Sequence, residues 1–100
     1  LILITNGSLS QSAMVGAVQV VTEAKSGVLR DHGVLSCQSS AAATGTGTDA
    51  VVIACSLRGQ GTWHVYSGTH TVMGALIGQV VTDCVTDGLA KARAWQESHQ

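Results

Sequence analysis

The sequence predicts an α/β protein of the α+β two-layer type, in which two long helices pack on one face of a mixed sheet of three or four strands. Two stretches place apolar residues at helical spacing, and three or four shorter stretches are apolar or alternate as strands do. The length of 100 residues suffices for one domain. We therefore expect residues 1–100 to form a single domain with the order β–α–(β)–β–β–α.

The composition is unusually apolar for a small domain. Apolar residues make up 45% of the chain and charged residues 11%, whereas proteins usually carry about 25% charged residues. A monomer with a fully wetted surface rarely has this composition, so we expect a second copy or a missing segment to cover one face. The net charge of −1 and the lack of a basic cluster argue against a nucleic-acid partner.

The cysteines and the absence of targeting signals bear on the compartment. Cys37, Cys55 and Cys84 are odd in number and have no CxxC spacing, which is typical of free thiols in a reducing cytoplasm. No uninterrupted apolar run reaches the roughly 18 residues of a membrane span, and no signal peptide is visible. We therefore expect a cytoplasmic protein that does not associate with a membrane.

The first part of the chain predicts a strand and a long helix. Residues 1–5 form a short apolar run that ends at Thr5, the pattern of a strand covered on both faces. Ser8 and Gln11 fit a capping box, so a helix should start there and run to about His32, with Gly33 as its stop. The apolar stripe of this helix consists of Met14, Ala17, Val18, Val21, Ala24 and Val28.

The middle of the chain predicts a hairpin. Residues 34–37 fit a short strand, and residues 50–57 are near-continuously apolar, as in a central strand. Residues 62–66 alternate like a strand with one exposed face. Because the glycine-rich turn 58–61 lies between the last two strands, we expect them to pair in antiparallel fashion.

A second long helix should follow, from about Val72 to beyond Trp95. Thr71 or Thr69 is suited to its N-cap, because a hydroxyl can accept from the free backbone N–H groups of the first turn. The apolar stripe of this helix consists of Met73, Leu76, Ile77, Val80, Cys84 and Leu89.

Residues 43–50 form an unusual loop in which threonines alternate with glycines before Asp49. A loop that only turns the chain commonly uses Pro, Asn or a single Gly. Glycine permits close backbone approach, and a carboxylate at the mouth of a buried strand is costly without a partner. Two interpretations remain: a preformed polar lining for a ligand, or a flexible loop with an Asp at a strand edge. The lining residues would be Thr44, Gly45, Thr46, Gly47 and Thr48.

A second loop of hydroxyls and glycine, residues 67–71, contains His70. The expected hairpin brings Asp49 beside His70, and such a pair can act as a general base or supply two metal ligands. Thr69, Thr71 and the N-terminal amides of the last helix would line the same cleft and hold an oxyanion. The alternative is a histidine that only caps the helix or has no role.

Lys25 lies within the apolar stripe of the first helix, whereas Glu23 projects from nearly the opposite side. The lysine stem can be buried while its amine reaches water. Alternatively, the amine is held in a cleft, where it binds an anionic or carbonyl oxygen.

Three segments together resemble the adenosylcobinamide amidohydrolases. They are Thr22-Glu23-Ala24-Lys25, the Thr/Gly segment 43–50, and Gly68-Thr69-His70-Thr71 with the later Gly74 and Leu76-Ile77-Gly78. They occur in the order and at the spacing of the family, and the segment 43–50 is the most specific. The chain corresponds to the later part of a longer family domain. It departs from the family at Val72 and Ala75, where a basic and an acidic residue are expected.

The resemblance implies hydrolysis of the amide that joins aminopropanol to the corrin ring of adenosylcobinamide, giving adenosylcobyric acid. The partner is then a small corrinoid whose cobalt belongs to the substrate, with no further cofactor or metal required. From residue chemistry we assign Asp49 or His70 as the base and Lys25 as the oxyanion partner, with Glu23 as a further catalytic candidate. The alternatives are a non-catalytic corrinoid- or nucleotide-binding module, and a structural fragment. These alternatives would need a second chain or an upstream half, and we expect the chain to form a homo-oligomer or to associate with a missing upstream half.

Overall fold

The computed structural model describes residues 1–36, 39–45 and 49–99. The predictions on Cys37 and on Thr46, Gly47 and Thr48 therefore lie outside the described residues. The elements, in chain order, are β1 (Ile2–Ile4), β2 (Ser8–Leu9), α1 (Gln11–Asp31), β3 (Val52–Ala54), β4 (Trp63–His64) and α2 (Val72–Ser98). Two long helices and a few short strands confirm the predicted α+β class.

The strands pair in parallel along the N-terminal segment. β1 pairs with β3 and β2 pairs with β4, both in parallel register. Between the two pairs the backbone bonding continues, since Ser56 N–H donates to Gly7 O at 3.0 Å and Ser8 N–H donates to Thr62 O at 2.8 Å. β1 and β2 thus act as one interrupted strand, and β3 and β4 as its interrupted parallel partner.

The predicted hairpin between residues 50–57 and 62–66 is wrong. β3 and β4 do not pair with each other, because each pairs with the N-terminal segment instead. The physical reason is that α1 is a crossover connection, and crossovers join parallel strands. The turn at Gly59 does form, with a φ of 89°, but it leads the chain forward along β2 and does not reverse it.

The segment after α1 forms less strand than expected. Leu35 and Ala42 make an isolated antiparallel bridge, and Ser36 N–H donates to Ala41 O at 2.9 Å. This bridge returns the chain toward α1 and so places the start of the Thr/Gly segment against that helix.

The start of α1 differs from the predicted capping box. Ser10 is the N-cap: its Oγ accepts from Ala13 N at 3.0 Å and donates to Val65 O at 2.7 Å. Ser8, the predicted cap, is buried in β2. The strand pairing of Ser8 therefore shifts the helix start by two residues.

The other predicted helix boundaries are confirmed. α1 ends at Asp31, and Gly33 follows with a φ of 68°, a conformation that favours glycine. α2 begins after Thr71, whose Oγ1 accepts from Gly74 N at 3.0 Å and donates to Gly68 O at 2.7 Å.

The two helices lie side by side and run in the same direction. Ser67, just before α2, donates a hydrogen bond to Ala13 O in the first turn of α1. At the other end Arg93 donates to His32 O at 2.6 Å. The core between the helices and the inner face of the strands consists of Leu3, Leu9, Ala13, Ala17, Val20, Val21, Ile77 and Val81.

Part of the predicted apolar stripe of α2 faces outward. Ile77 of this stripe and Val81, which lies outside it, are buried, but Leu76, Val80 and Cys84 are exposed, because α1 covers only one side of α2. By length and composition α2 could also cross a membrane, a test that core helices of soluble proteins pass as well. This was not predicted from the sequence, because only uninterrupted apolar runs were considered and the apolar residues of α2 are interrupted by polar ones.

Candidate functional site

An ion pair joins two of the segments that stood out in the sequence. Lys25 Nζ, on the C-terminal half of α1, lies 2.5 Å from Asp49 Oδ2, just before β3. The lysine side chain is 19% exposed and the aspartate side chain 37%. The Asp49 carboxylate before β3 therefore has a cationic partner that offsets the cost of its partial burial. The Lys25 amine is held by the carboxylate and does not extend into open solvent.

Gly45 packs directly against this ion pair. A Cβ at position 45 would overlap Asp49 Oδ2 and lie 3.3 Å from Lys25 Nζ. The neighbouring backbone is fixed to α1, since Ser26 Oγ donates to Thr44 O at 3.2 Å. The first glycine of the Thr/Gly segment is therefore required by a close approach of backbone to carboxylate.

A cavity of about 370 Å³ lies between α1 and the start of the Thr/Gly segment. Its charged and hydroxyl groups come from Glu23, Ser26, Arg30 and Thr44. The predicted residues Glu23 and Thr44 are thus brought together, whereas Lys25 and Asp49 do not line this cavity. Arg30 was missed by sequence reasoning, although its position seven residues after Glu23 places both on one helix face.

His70 lies toward the other end of the molecule. The loop before it contacts the first turns of α1, where Ser67 packs against Gly16, and about 14 Å of helix axis separates Gly16 from Lys25 at 1.5 Å per residue. His70 and Thr69 are exposed. The expectation that Asp49 and His70 share one cleft is therefore wrong, because it depended on the hairpin.

The helix start near His70 is nevertheless built as predicted. Thr71 caps α2, and the His70 ring packs over Gly68, where an added Cβ would lie 2.9 Å from the ring. Val72 is exposed at the first position of the helix. This end of the molecule therefore presents an imidazole and a helix N-terminus without a carboxylate from the Thr/Gly segment.

A second cavity, of about 360 Å³, was missed by sequence reasoning. It lies at the interruption between the two parallel strand pairs, and the imidazole that lines it is that of His64. Sequence reasoning treated His64 only as a strand side chain. The sequence signal for it is the Asn6-Gly7 pair, which is typical of a turn and here interrupts the N-terminal strand segment.

The molecule is thus an α+β protein with a parallel crossover unit, an ion pair just before β3 and a polar cavity at the interruption between its two strand pairs. The chain matches the adenosylcobinamide amidohydrolase family over residues 1–97 and belongs to that family. It is 38% identical over 92 residues to an uncharacterised protein of Methanocaldococcus jannaschii. That match covers 91% of this chain and 35% of the relative. No solved structure matches the chain.

Proposed function

We propose that the chain forms part of an enzyme that hydrolyses the amide between aminopropanol and the corrin ring of adenosylcobinamide, releasing adenosylcobyric acid. The observation that carries the proposal is the Lys25–Asp49 ion pair against Gly45. It joins two of the segments that link the chain to a family of amide hydrolases. Since the chain spans 35% of its relative, the remainder of such a protein or a second copy would complete the corrinoid site.

The chemistry of amide hydrolysis suits a carboxylate beside an ammonium group. Asp49 would take a proton from a water molecule as the water oxygen attacks the amide carbon. Lys25 would stabilise the negative charge that develops on the carbonyl oxygen. When the carbon–nitrogen bond breaks, the proton held by Asp49 would pass to the leaving aminopropanol nitrogen, so that the acid and the free amine are released.

The other candidate residues would bind the substrate. Glu23 and Thr44 line the cavity beside α1, where they can accept or donate hydrogen bonds to polar groups of a corrinoid. Thr69, His70 and Thr71 lie at the opposite end, so a large ligand or a second subunit would be needed to reach them. The proposed reaction uses no cofactor of its own, since the cobalt belongs to the substrate, and we place it in the cytoplasm.

One observation favours a non-catalytic corrinoid-binding module as a second candidate. Asp49 is paired with Lys25 and is separated from His70, so the imidazole cannot assist the carboxylate within this chain. A module of this kind would bind the corrinoid through the same loops without hydrolysing it.

The test replaces each member of the ion pair without changing its size greatly. We expect Lys25→Met and Asp49→Asn each to lower the rate of cobyric acid release by about 100-fold or more, the usual effect of losing a catalytic group. Lys25→Met should also lower the melting temperature, because it leaves the half-buried carboxylate of Asp49 without its ammonium partner, so the rates are compared well below the unfolding transition. Product formation is followed by chromatography of the corrinoids.

Lys91→Met is the matched control. Lys91 forms an exposed ion pair with Asp87 on α2, 2.9 Å long, and the hydrogen bond to Asp87 raises the pKa of Lys91. This variant should hydrolyse at the wild-type rate. Full activity in both site variants would contradict the proposal. A melting temperature raised by adenosylcobinamide, with no product after long incubation of the wild type, would favour the binding module.

A further inference from the structure

We infer that the cavity beside His64, called here the His64 cavity, binds a neutral carboxamide group. Its polar lining consists of Asn6, Ser56, Gln60, Thr62 and His64, and Met73 of α2 closes it on one side. It is separate from the Lys25–Asp49 pair, whose residues do not line it. The volume of about 360 Å³ accommodates a side group of a larger ligand.

The cavity exists because the parallel ladder is interrupted. Residues up to Ser56 bond to the N-terminal segment, and bonding resumes at Thr62. Residues 57–61 leave the ladder, and Gln60 and Gly61 form part of the cavity wall.

Two glycines allow the walls to approach each other. A Cβ on Gly7 would lie 3.0 Å from His64 Cδ2 and 3.0 Å from Met73 Cε. A Cβ on Gly61 would overlap Asn6 O. The imidazole of His64 therefore packs directly on the backbone at Gly7, and the Gly61 backbone packs against Asn6 O, so two walls of the cavity are in close contact.

The lining favours a neutral ligand that both donates and accepts hydrogen bonds. None of its five polar side chains forms a hydrogen bond with another residue in the described part of the chain, so their donors and acceptors are available. Among the described residues no Asp, Glu, Lys or Arg lines the cavity. An anion would find no cation there, whereas a carboxamide can pair with the amides of Asn6 and Gln60 in both directions.

The identity of the ligand rests on the proposed function. A corrin ring carries primary carboxamide side chains in addition to the amide that would be hydrolysed. One of these would enter the His64 cavity and fix the orientation of the ring. Cobyric acid, which keeps the ring carboxamides and lacks aminopropanol, should therefore bind there as cobinamide does.

Nuclear magnetic resonance tests this directly. In a titration with cobyric acid we expect the side-chain amide signals of Asn6 and Gln60 to shift, whereas aminopropanol or inorganic phosphate should leave them unchanged. Gln60→Ala should weaken cobyric acid binding several-fold, up to about tenfold, the range for loss of neutral hydrogen bonds. Thr62→Val provides a second variant with the same expected direction.

Gln79→Ala is the matched control, because Gln79 is exposed on α2 and lies outside the cavity. It should bind cobyric acid like the wild type. Unshifted Asn6 and Gln60 signals, or equal affinities of the Gln60 and Gln79 variants, would overturn the inference. Failure of the proposed hydrolysis gives a different result: cobyric acid still binds in the His64 cavity, but cobinamide is never converted.

Discussion

At the scale of single residues, Gly45 shows what a sequence motif can and cannot reveal. Alternating glycines and threonines predicted a close approach of the backbone to a polar group. The structure shows that the approaching group is the carboxylate of Asp49, four residues along the same segment. The requirement for a partner of Asp49 followed from the cost of an isolated charge, but the choice of Lys25 depended on how α1 packs.

Replacing Gly45 by Ala should disturb the ion pair. The added methyl overlaps Asp49 Oδ2, so the segment must shift, and we expect a loss of about 1–3 kcal/mol in the free energy of unfolding, as in overpacked sites. The rate of adenosylcobinamide hydrolysis should fall as well. Urea unfolding measures the change in the free energy of unfolding, and chromatography of the corrinoids measures the rate.

The control for this substitution is Gly88→Ala. A Cβ at Gly88 meets nothing within 4 Å, and the residue lies inside α2, so alanine should raise the free energy of unfolding by about 0.5–1 kcal/mol. Equal stability of the two alanine variants would show that Gly45 does not contact the carboxylate.

At the scale of elements, local rules placed the helices well and the strands poorly. The end of α1 at Asp31 and the start of α2 after Thr71 follow from glycine and threonine chemistry within a few residues. Strand direction does not follow from local chemistry, because the glycine-rich turn 58–61 is equally compatible with a hairpin and with a forward step. The long-range pairing with the N-terminal segment decided between them. The site prediction failed at the same point, since the joining of Asp49 to His70 depended on that turn.

The start of α1 provides a test of how strand pairing competes with helix capping. Both Ser8 and Ser10 have a serine's capping chemistry, but only Ser10 accepts from Ala13 N, and it also bonds to Val65 O. We expect Ser10→Ala to lower the free energy of unfolding by about 1 kcal/mol, within the range of about 0.5–2 for lost caps. Ser12→Ala, at an exposed position of α1, should change it by only a few tenths of a kcal/mol. Equal effects in urea unfolding would remove Ser10 from the capping role.

At the scale of the whole molecule, the apolar composition is explained by faces that this chain does not cover. The outer face of the β1–β3 pair exposes Ile2 by 67%, Ile4 by 77% and Val52 by 52%, while Leu3 points inward to the core. This alternation is the two-residue period of a strand. Monomeric proteins rarely expose a continuous apolar patch of this kind, and the chain spans only 35% of the relative that it matches.

We therefore expect the 100-residue chain to self-associate through this face. Light scattering after size-exclusion chromatography should show a mass that rises with concentration, because burial of the apolar side chains removes them from water. Ile4→Lys places a charge in the centre of the face and should shift the chain toward the monomer. Val15→Lys makes the same change at a side chain that is 70% exposed on α1, away from the strands, and should leave association unchanged. A wild-type chain that is monomeric at every concentration, or equal effects of both lysines, would mean that the outer face of the strands does not drive association.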